Sequence, residues 1–372
     1  MNTATRFRKI ARSLEAQDKR REKRMKAVQV VQEFAVPEDK PFDSCHASTL
    51  VELKGGGILV AYFGGSWEKA PDTAIWVSRK RGLTWDYPRV AADIRGVPLW
   101  NPVLFRRSDG SIRLFFKAGK EISEWKTYFS DSYDEGESFT PPAELVPGDD
   151  SGGRGPVKNK PIRLKNGAVL APASLEAGGI WDCFVDISAD DCVSWTKSAP
   201  VPLRRVLLHQ GGSTDAQIIH RPYDPHLLFG RGMIQPTLWE DETGGVHMLC
   251  RTTSSRIFRS DSLDGGHTWS LAYDTGLPNN NSGIDACVLP DGALVLAYNP
   301  RENLPGYYKG PRTPLAAAVS LDQGRTFQPL LTLEDQAGNF AYPAVIAEGN
   351  RVMITYTWNR ERIRFCSFVL EK

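Results

Sequence analysis

One hairpin pattern occurs six times along the chain: an apolar strand, a turn containing glycine, and a second apolar strand. The copies occupy residues 48–64, 101–117, 160–176, 235–251, 285–299 and 342–358. Their turns carry pairs such as Gly55-Gly56, Asp109-Gly110, Asn166-Gly167 and Asp291-Gly292, which supply the positive φ that a tight hairpin needs. Self-similarity at a fixed period marks a repeat architecture, in which each unit buries its apolar face only against its neighbours.

A second motif follows five of the copies. It reads Ser-x-Asp-x-Gly-x-Thr-Trp and is complete at Ser262, Asp264, Gly266, Thr268 and Trp269. The copy starting at Ser320 has Phe327 for Trp, and the one at Ser132 has Ser138 and Phe139. Two copies are degenerate: Lys80 replaces Asp in the box at Ser78, and Cys192 replaces Gly in the box at Ser188. An Asp side chain can accept backbone N–H groups a few residues on, and Gly permits the left-handed turn. The aromatic residue then packs the turn against a sheet. This box is a structural staple with no catalytic role. Its starts are 54, 56, 74 and 58 residues apart, enough for one four-stranded antiparallel sheet per unit. The wide gap marks an insertion around residues 201–231, containing His209, His220 and His226. Such sheets avoid exposed edges by closing radially, so the sequence predicts an all-β, six-bladed propeller over residues 28–372. The segment near 28–34 is expected to complete the sixth sheet.

Charge is unevenly placed. Residues 1–27 hold ten basic and three acidic side chains, a balance of +7, so the remainder of a chain of net charge +2 carries −5. An acidic body argues against nucleic acid as the main ligand, although the arm alone could touch phosphates or an acidic membrane surface. Phe7, Ile10, Ala11 and Leu14 recur at helical spacing, which predicts a short basic N-terminal helical arm. No apolar run reaches the roughly 18 residues of a membrane span, and no apolar segment follows the first basic residues, so the expectation is an intracellular (cytoplasmic) chain. The six cysteines lack CxxC spacing and read as buried thiols. No metal cluster or phosphate-cradling loop is visible, so no metal and no cofactor are expected.

In a propeller, polar residues at the ends of inner strands converge on one face of the central channel. His46, Asn101, Lys160, Gln235, Asp285 and Tyr342 stand at the starts of the six hairpins. Lys117, Glu176, Arg251, Asn299 and Arg360 stand near the ends of returning strands. Gathering so many polar groups around one axis is costly unless a polar ligand or water satisfies them.

The boxes, the six-fold repeat and the runs His46-Ala47-Ser48-Thr49, Lys158-Asn159-Lys160-Pro161 and Tyr342-Pro343 resemble the sialidase (neuraminidase) superfamily, in its exo-alpha-sialidase-like branch. The resemblance covers nearly all of the chain after residue 28. It implies a glycosidase that holds an acidic sugar with three arginines, attacks with a tyrosine activated by a glutamate, and uses an aspartate as acid/base. Arg251 and Arg312 match the second and third arginines in order, and Tyr342 matches the nucleophile. Two positions depart: Cys45-His46-Ala47-Ser48 stands where the first arginine belongs, and Gln235 where the glutamate belongs. Glu176 is the candidate replacement, and Asp72, with Glu68 second, the candidate acid/base. Lys160, Gln235, Asn101, Asp285, Asn299 and Arg360 complete the expected substrate-binding set. The departures keep two alternatives open. In one, a lyase abstracts the C5 proton of a uronate with His46 or Tyr342 while Arg251, Arg312 or Lys160 neutralises the carboxylate. In the other, the propeller binds glycans without turning them over.

Overall fold

In the computed structural model, residues 25–207, 223–304, 307 and 309–372 are described. The chain forms six antiparallel sheets in sequential order around a ring. Blade 1 comprises Ser44–Glu52, Ile58–Gly65, Ala74–Arg81 and a divided outer edge, Thr84–Trp85 and Arg89–Ala92. Blade 2 runs from Leu99–Arg106 to Ala143–Glu144, blade 3 from Ile162–Arg163 to Thr196–Lys197, blade 4 from Met233–Glu240 to Tyr273–Pro278, and blade 5 from Asp285–Val288 to Gln328–Glu334. Blade 6 takes three strands, Phe340–Glu348, Arg351–Trp358 and Arg362–Glu371, from the C-terminal end. Its fourth strand, Lys26–Phe34, comes from the N-terminal end and pairs antiparallel with Arg362–Glu371. The strand therefore begins at Lys26, so Lys26 and Ala27 belong to the propeller, where the sequence placed them in a helical arm. Met25 is likewise buried between blades 5 and 6; residues 1–24, with Phe7, Ile10, Ala11 and Leu14, lie outside the described residues.

Burial falls off with distance from the axis. Second strands such as Ile58–Gly65 and Val246–Thr252 are buried along their whole length, whereas the outer strand Lys26–Phe34 is half-buried or exposed throughout. Among the described residues, the core divides into six apolar clusters, one at each interface between consecutive blades. Blades 1 and 2, for example, share Leu59, Phe63, Ile75, Leu104, Leu114 and Phe116. A blade has no core of its own, so its stability depends on both neighbours.

The boxes act across these interfaces. In blade 4, the Asp264 carboxylate accepts Thr268 N–H at 2.9 Å and the hydroxyls of Thr268 and Ser262 at 2.6 and 2.7 Å. Trp269 then packs into the cluster shared with blade 3. Trp85, Phe139, Trp195 and Phe327 likewise meet the preceding blade. The box glycines are required by the same approach: a Cβ on Gly266 would stand 2.9 Å from Leu170 of blade 3, and one on Gly136 2.5 Å from Leu59 of blade 1. The box aromatic thus staples a blade to its predecessor as well as to its own sheet.

The insertion pairs Arg204–Val206 with Leu227–Phe229 in parallel and docks on blade 3, where Gly232 bridges Trp181. Within it, His226 Nδ1 lies 3.2 Å from the Ala272 carbonyl, while His209 and His220 lie outside the described residues. All six cysteines are buried and free.

Candidate active site

The inner strands are not regular where they approach the axis. Register slips between His46 and Thr49, Trp100 and Val103, Ile234 and Thr237, and Ala341 and Ala344. At each slip one non-glycine residue adopts left-handed backbone: Ala47 at φ 57°, Asn101 at 44°, Gln235 at 53° and Tyr342 at 55°. Such a bulge re-aims the side chain that a regular strand would point at the next blade, and a left-handed tyrosine costs on the order of 1–3 kcal/mol that the surrounding fold must offset. Lys158 from blade 3 supplies part of that offset by donating to the Pro343 carbonyl.

The result is one cavity of about 290 Å³, and all six blades contribute to its wall. Tyr342 is one of the residues of that wall. Its hydroxyl oxygen accepts Arg251 Nη1 at 2.9 Å and Gln235 Nε2 at 3.3 Å. Arg251 is held in turn by Gln235 Oε1 at 3.0 Å and Asn281 Oδ1 at 3.1 Å. The guanidinium carbons of Arg251 and Arg312 lie 5.6 and 5.5 Å from the Tyr342 ring centre, and Lys158 Nζ lies 5.8 Å away. Burial by itself would raise the Tyr342 pKa, but Arg251, Arg312 and the Gln235 hydrogen bond outweigh it, and the phenol is shifted below its usual range. Arg312 is pushed down to about 10, chiefly by burial and then by Arg360 and Arg251, with Tyr342 and Glu68 opposing. Its Nη1 is buried without a hydrogen-bond partner. A desolvated guanidinium with an idle N–H is matched by an anion such as a carboxylate.

His46 packs its ring 4.3 Å from that of Tyr342. Its Nδ1 lies 2.8 Å from Thr357 Oγ1, and Nε2 is buried without a partner. Burial first, then Arg360, Arg312, Lys158 and Arg251, hold its pKa well below the ordinary range, so the imidazole is neutral. Glu176 lines the opposite wall, and burial raises its carboxyl against the pull of Arg251, Lys309 and Arg231. Arg360 reaches the cavity from the turn after Arg351–Trp358 and is paired with Glu68 at 2.8 Å.

The family model for the BNR repeat-like domain matches residues 56–354. This chain belongs to that family. It is a BNR-repeat protein, and the solved structures it resembles share its propeller fold. A Dyadobacter fermentans protein of unknown function superposes with a TM-score of 0.70 at 17% identity, covering 93% of this chain and 99% of that one. The Hadza microbial sialidase Hz136 gives 0.71 at 15%, covering 91% and 68%. Trypanosoma rangeli sialidase in complex with the inhibitor DANA gives 0.66 at 13%, covering 92% of this chain and 60% of that one. These likenesses concern the fold. No curated protein matches this chain.

In this BNR-repeat propeller the cavity wall includes His46, Asn101, Glu176, Gln235, Arg251, Arg312, Tyr342 and Arg360. Four expected site residues are not part of that wall. Asp72 turns back on its own loop, accepting Ser66 N–H at 3.1 Å and Ser66 Oγ at 2.5 Å, and Glu68 takes the place at the rim. Lys160 and Asp285 form an ion pair at 2.9 Å, and Asp285 also accepts Thr237 Oγ1 and Val345 N–H, both at 2.8 Å. That pair is a buried clasp between blades 3, 4, 5 and 6. Asn299 donates to the carbonyls of Pro314 and Phe340 at 2.8 and 3.0 Å, which fixes a loop. Asn101 does reach the cavity, with its amide committed to the Val157 carbonyl at 3.0 Å.

Sequence reasoning missed Arg231, Lys309, Trp100, Trp125 and Trp181, which also line the cavity. Arg231 had a legible signal, since it stands between Gly230 and Gly232 in the insertion. A Cβ on Gly232 would come within 2.1 Å of the Trp181 carbonyl, so only glycine lets the insertion approach closely enough to deliver Arg231.

Proposed function

We propose that this protein is an enzyme acting on a glycan with a terminal acidic sugar, as a glycoside hydrolase of the exo-alpha-sialidase-like kind. The observation that carries the reading is the Tyr342 oxygen, placed against Arg251 and Gln235 inside a cavity walled by Arg251, Arg312 and Arg360. In this reading Arg312 and Arg251 hold the sugar carboxylate. Arg360, arriving from blade 6, stands in for the arginine that blade 1 lacks. Tyr342, reacting as the phenolate after its proton has left to solvent, bonds through oxygen to the anomeric carbon as the glycosidic C–O bond breaks, and the departing oxygen takes the proton of Glu176, whose raised pKa suits an acid. Water, deprotonated by the same carboxylate, then cleaves the tyrosyl link.

A second reading is favoured by His46 and Gln235. A neutral imidazole with an idle Nε2 beside Tyr342, and an amide where a base belongs, suit a lyase that removes a proton next to a uronate carboxylate. The two are separated by product. Sialosides and uronate glycans are incubated with wild type and with Tyr342→Phe. Release of the leaving group without near-ultraviolet absorption, lost in the variant, is the expected result. An unsaturated absorbing product would replace hydrolase by lyase. Saturable binding with no turnover on any acidic glycan would remove both.

A further inference from the structure

Gln235 stands where the sequence resemblance expects the base that activates the tyrosine, and its orientation is fixed. Arg251 has only donors, so the amide oxygen must face Arg251, from which Oε1 lies 3.0 Å. That leaves Nε2, a donor, toward the Tyr342 hydroxyl. The backbone allows no easy alternative: Gln235 N–H donates to Ser174 Oγ at 3.3 Å, its carbonyl accepts Asn159 Nδ2 at 3.1 Å, and its φ is 53°. The Tyr342 oxygen therefore receives two N–H donors. Among the described residues no carboxylate is hydrogen-bonded to it.

We propose that Gln235 is a positioning residue which, with Arg251, holds the Tyr342 oxygen as a phenolate, so that the tyrosine reacts without a side-chain base. An oxygen that accepts two N–H bonds is stabilised most when it carries the full negative charge. The surrounding charges agree. Arg251 of blade 4 and Arg312 of blade 5 are cationic side chains beside the ring; Lys158 of blade 3 lies 5.8 Å from it with its pKa pushed down to about 7 by burial, and Arg360 of blade 6, on the cavity wall, is paired with Glu68 of blade 1. His46 of blade 1 is neutral, and the Lys160–Asp285 pair beneath the site is internally balanced. Two carboxyls line the cavity: Glu176, whose raised pKa limits the negative charge it sets against the phenolate, and Glu68, which is paired with Arg360. A carboxylate at position 235 would place a second negative charge against the oxygen. The inference rests on Tyr342 being the reacting group.

The test is a titration of the full-length protein. Ionised tyrosine absorbs at longer wavelength than the phenol, so the Tyr342 transition is the difference between wild type and Tyr342→Phe across pH, the other tyrosines cancelling. The expected midpoint lies below the value of about 10 for free tyrosine. It moves up by about one unit in Gln235→Leu, which removes the donor, and further in Gln235→Glu. If turnover is found, the acid limb of the rate profile moves with the midpoint, and activity at neutral pH falls about tenfold for each unit.

A wild-type midpoint at or above that of free tyrosine overturns the inference. So does a midpoint unmoved by Gln235→Leu, or a Gln235→Glu variant faster than wild type at neutral pH. Should Gln235→Leu fail to fold, the wild-type midpoint and Gln235→Glu decide. A shifted midpoint with no turnover on any acidic glycan supports the phenolate held by Gln235 and Arg251 but removes both the proposed function and the reaction assigned to the tyrosine.

Discussion

Arg312 carries a guanidinium whose buried Nη1 makes no hydrogen bond, and burial has already weakened its hold on its proton. Such a group gains more from a carboxylate than an exposed arginine does, because little water is left to displace. Arg312→Lys keeps the charge but loses the fork, at a cost of about 1.5–3 kcal/mol for charge-assisted hydrogen bonds. The expected outcome is a KM for acidic substrates raised about tenfold to hundredfold with kcat changed less. An unchanged KM would exclude Arg312 from the carboxylate site. The same scale shows where residue types misled. Asp72 and Asn299 have the right chemistry for a site, but hydrogen-bond partners that no spacing rule reveals, Ser66 and the Phe340 carbonyl, use it up.

The Asp box is the element whose design was most legible, because its hydrogen bonds close within seven residues of chain. Its partner was not, since the aromatic meets the preceding blade. Asp264→Ala removes the acceptor for Thr268 N–H and two hydroxyls and should cost about 1 kcal/mol or somewhat more, measured as a lower denaturant midpoint at neutral pH. Hydrogen bonds from Thr268 first, then Ser262, against some desolvation, hold the Asp264 pKa at about 2, below its ordinary 3.8. The folded-state pKa is depressed, so this stabilisation is present above about 3.8 and is lost as pH falls toward 2. The gap between wild type and variant should close over that window, and a gap that widened would contradict the assignment. The degenerate box in blade 1 shows the element reused. Lys80, in place of Asp, pairs with Glu33 of the N-terminal strand and lies 5.5 Å from Trp85 and 5.9 Å from Phe365 of blade 6. A motif that elsewhere joins consecutive blades here joins the two ends of the chain.

At the scale of the whole molecule, that junction closes the ring. Lys26–Phe34 covers the edge of Arg362–Glu371, and Gln32 Nε2 donates to the Leu333 carbonyl of blade 5 at 3.1 Å. Because every apolar cluster is shared between two blades, opening one interface weakens its neighbours. A chain lacking residues 1–34 should lose cooperative thermal unfolding and aggregate through the bared edge, as followed by circular dichroism and light scattering. Melting at the wild-type temperature would show that the strand is not a latch.

The sequence by itself determined the repeat, the number of sheets, the turn chemistry and the family resemblance, because each depends on contacts a few residues apart: a glycine at a left-handed turn, an aspartate capping its own loop, apolar strands at fixed spacing. Tertiary structure alone decided which polar residues meet. Tyr342 and Arg251 are 91 positions apart, and His46 and Thr357 are 311 apart. Such pairs converge only because the ring closes, joining blades 1 and 6, and because bulges at Ala47, Asn101, Gln235 and Tyr342 re-aim the inner strands at the axis. The same closure turned Lys160 and Asp285 into a clasp, since two opposite charges that reach the same buried point neutralise each other before any ligand arrives.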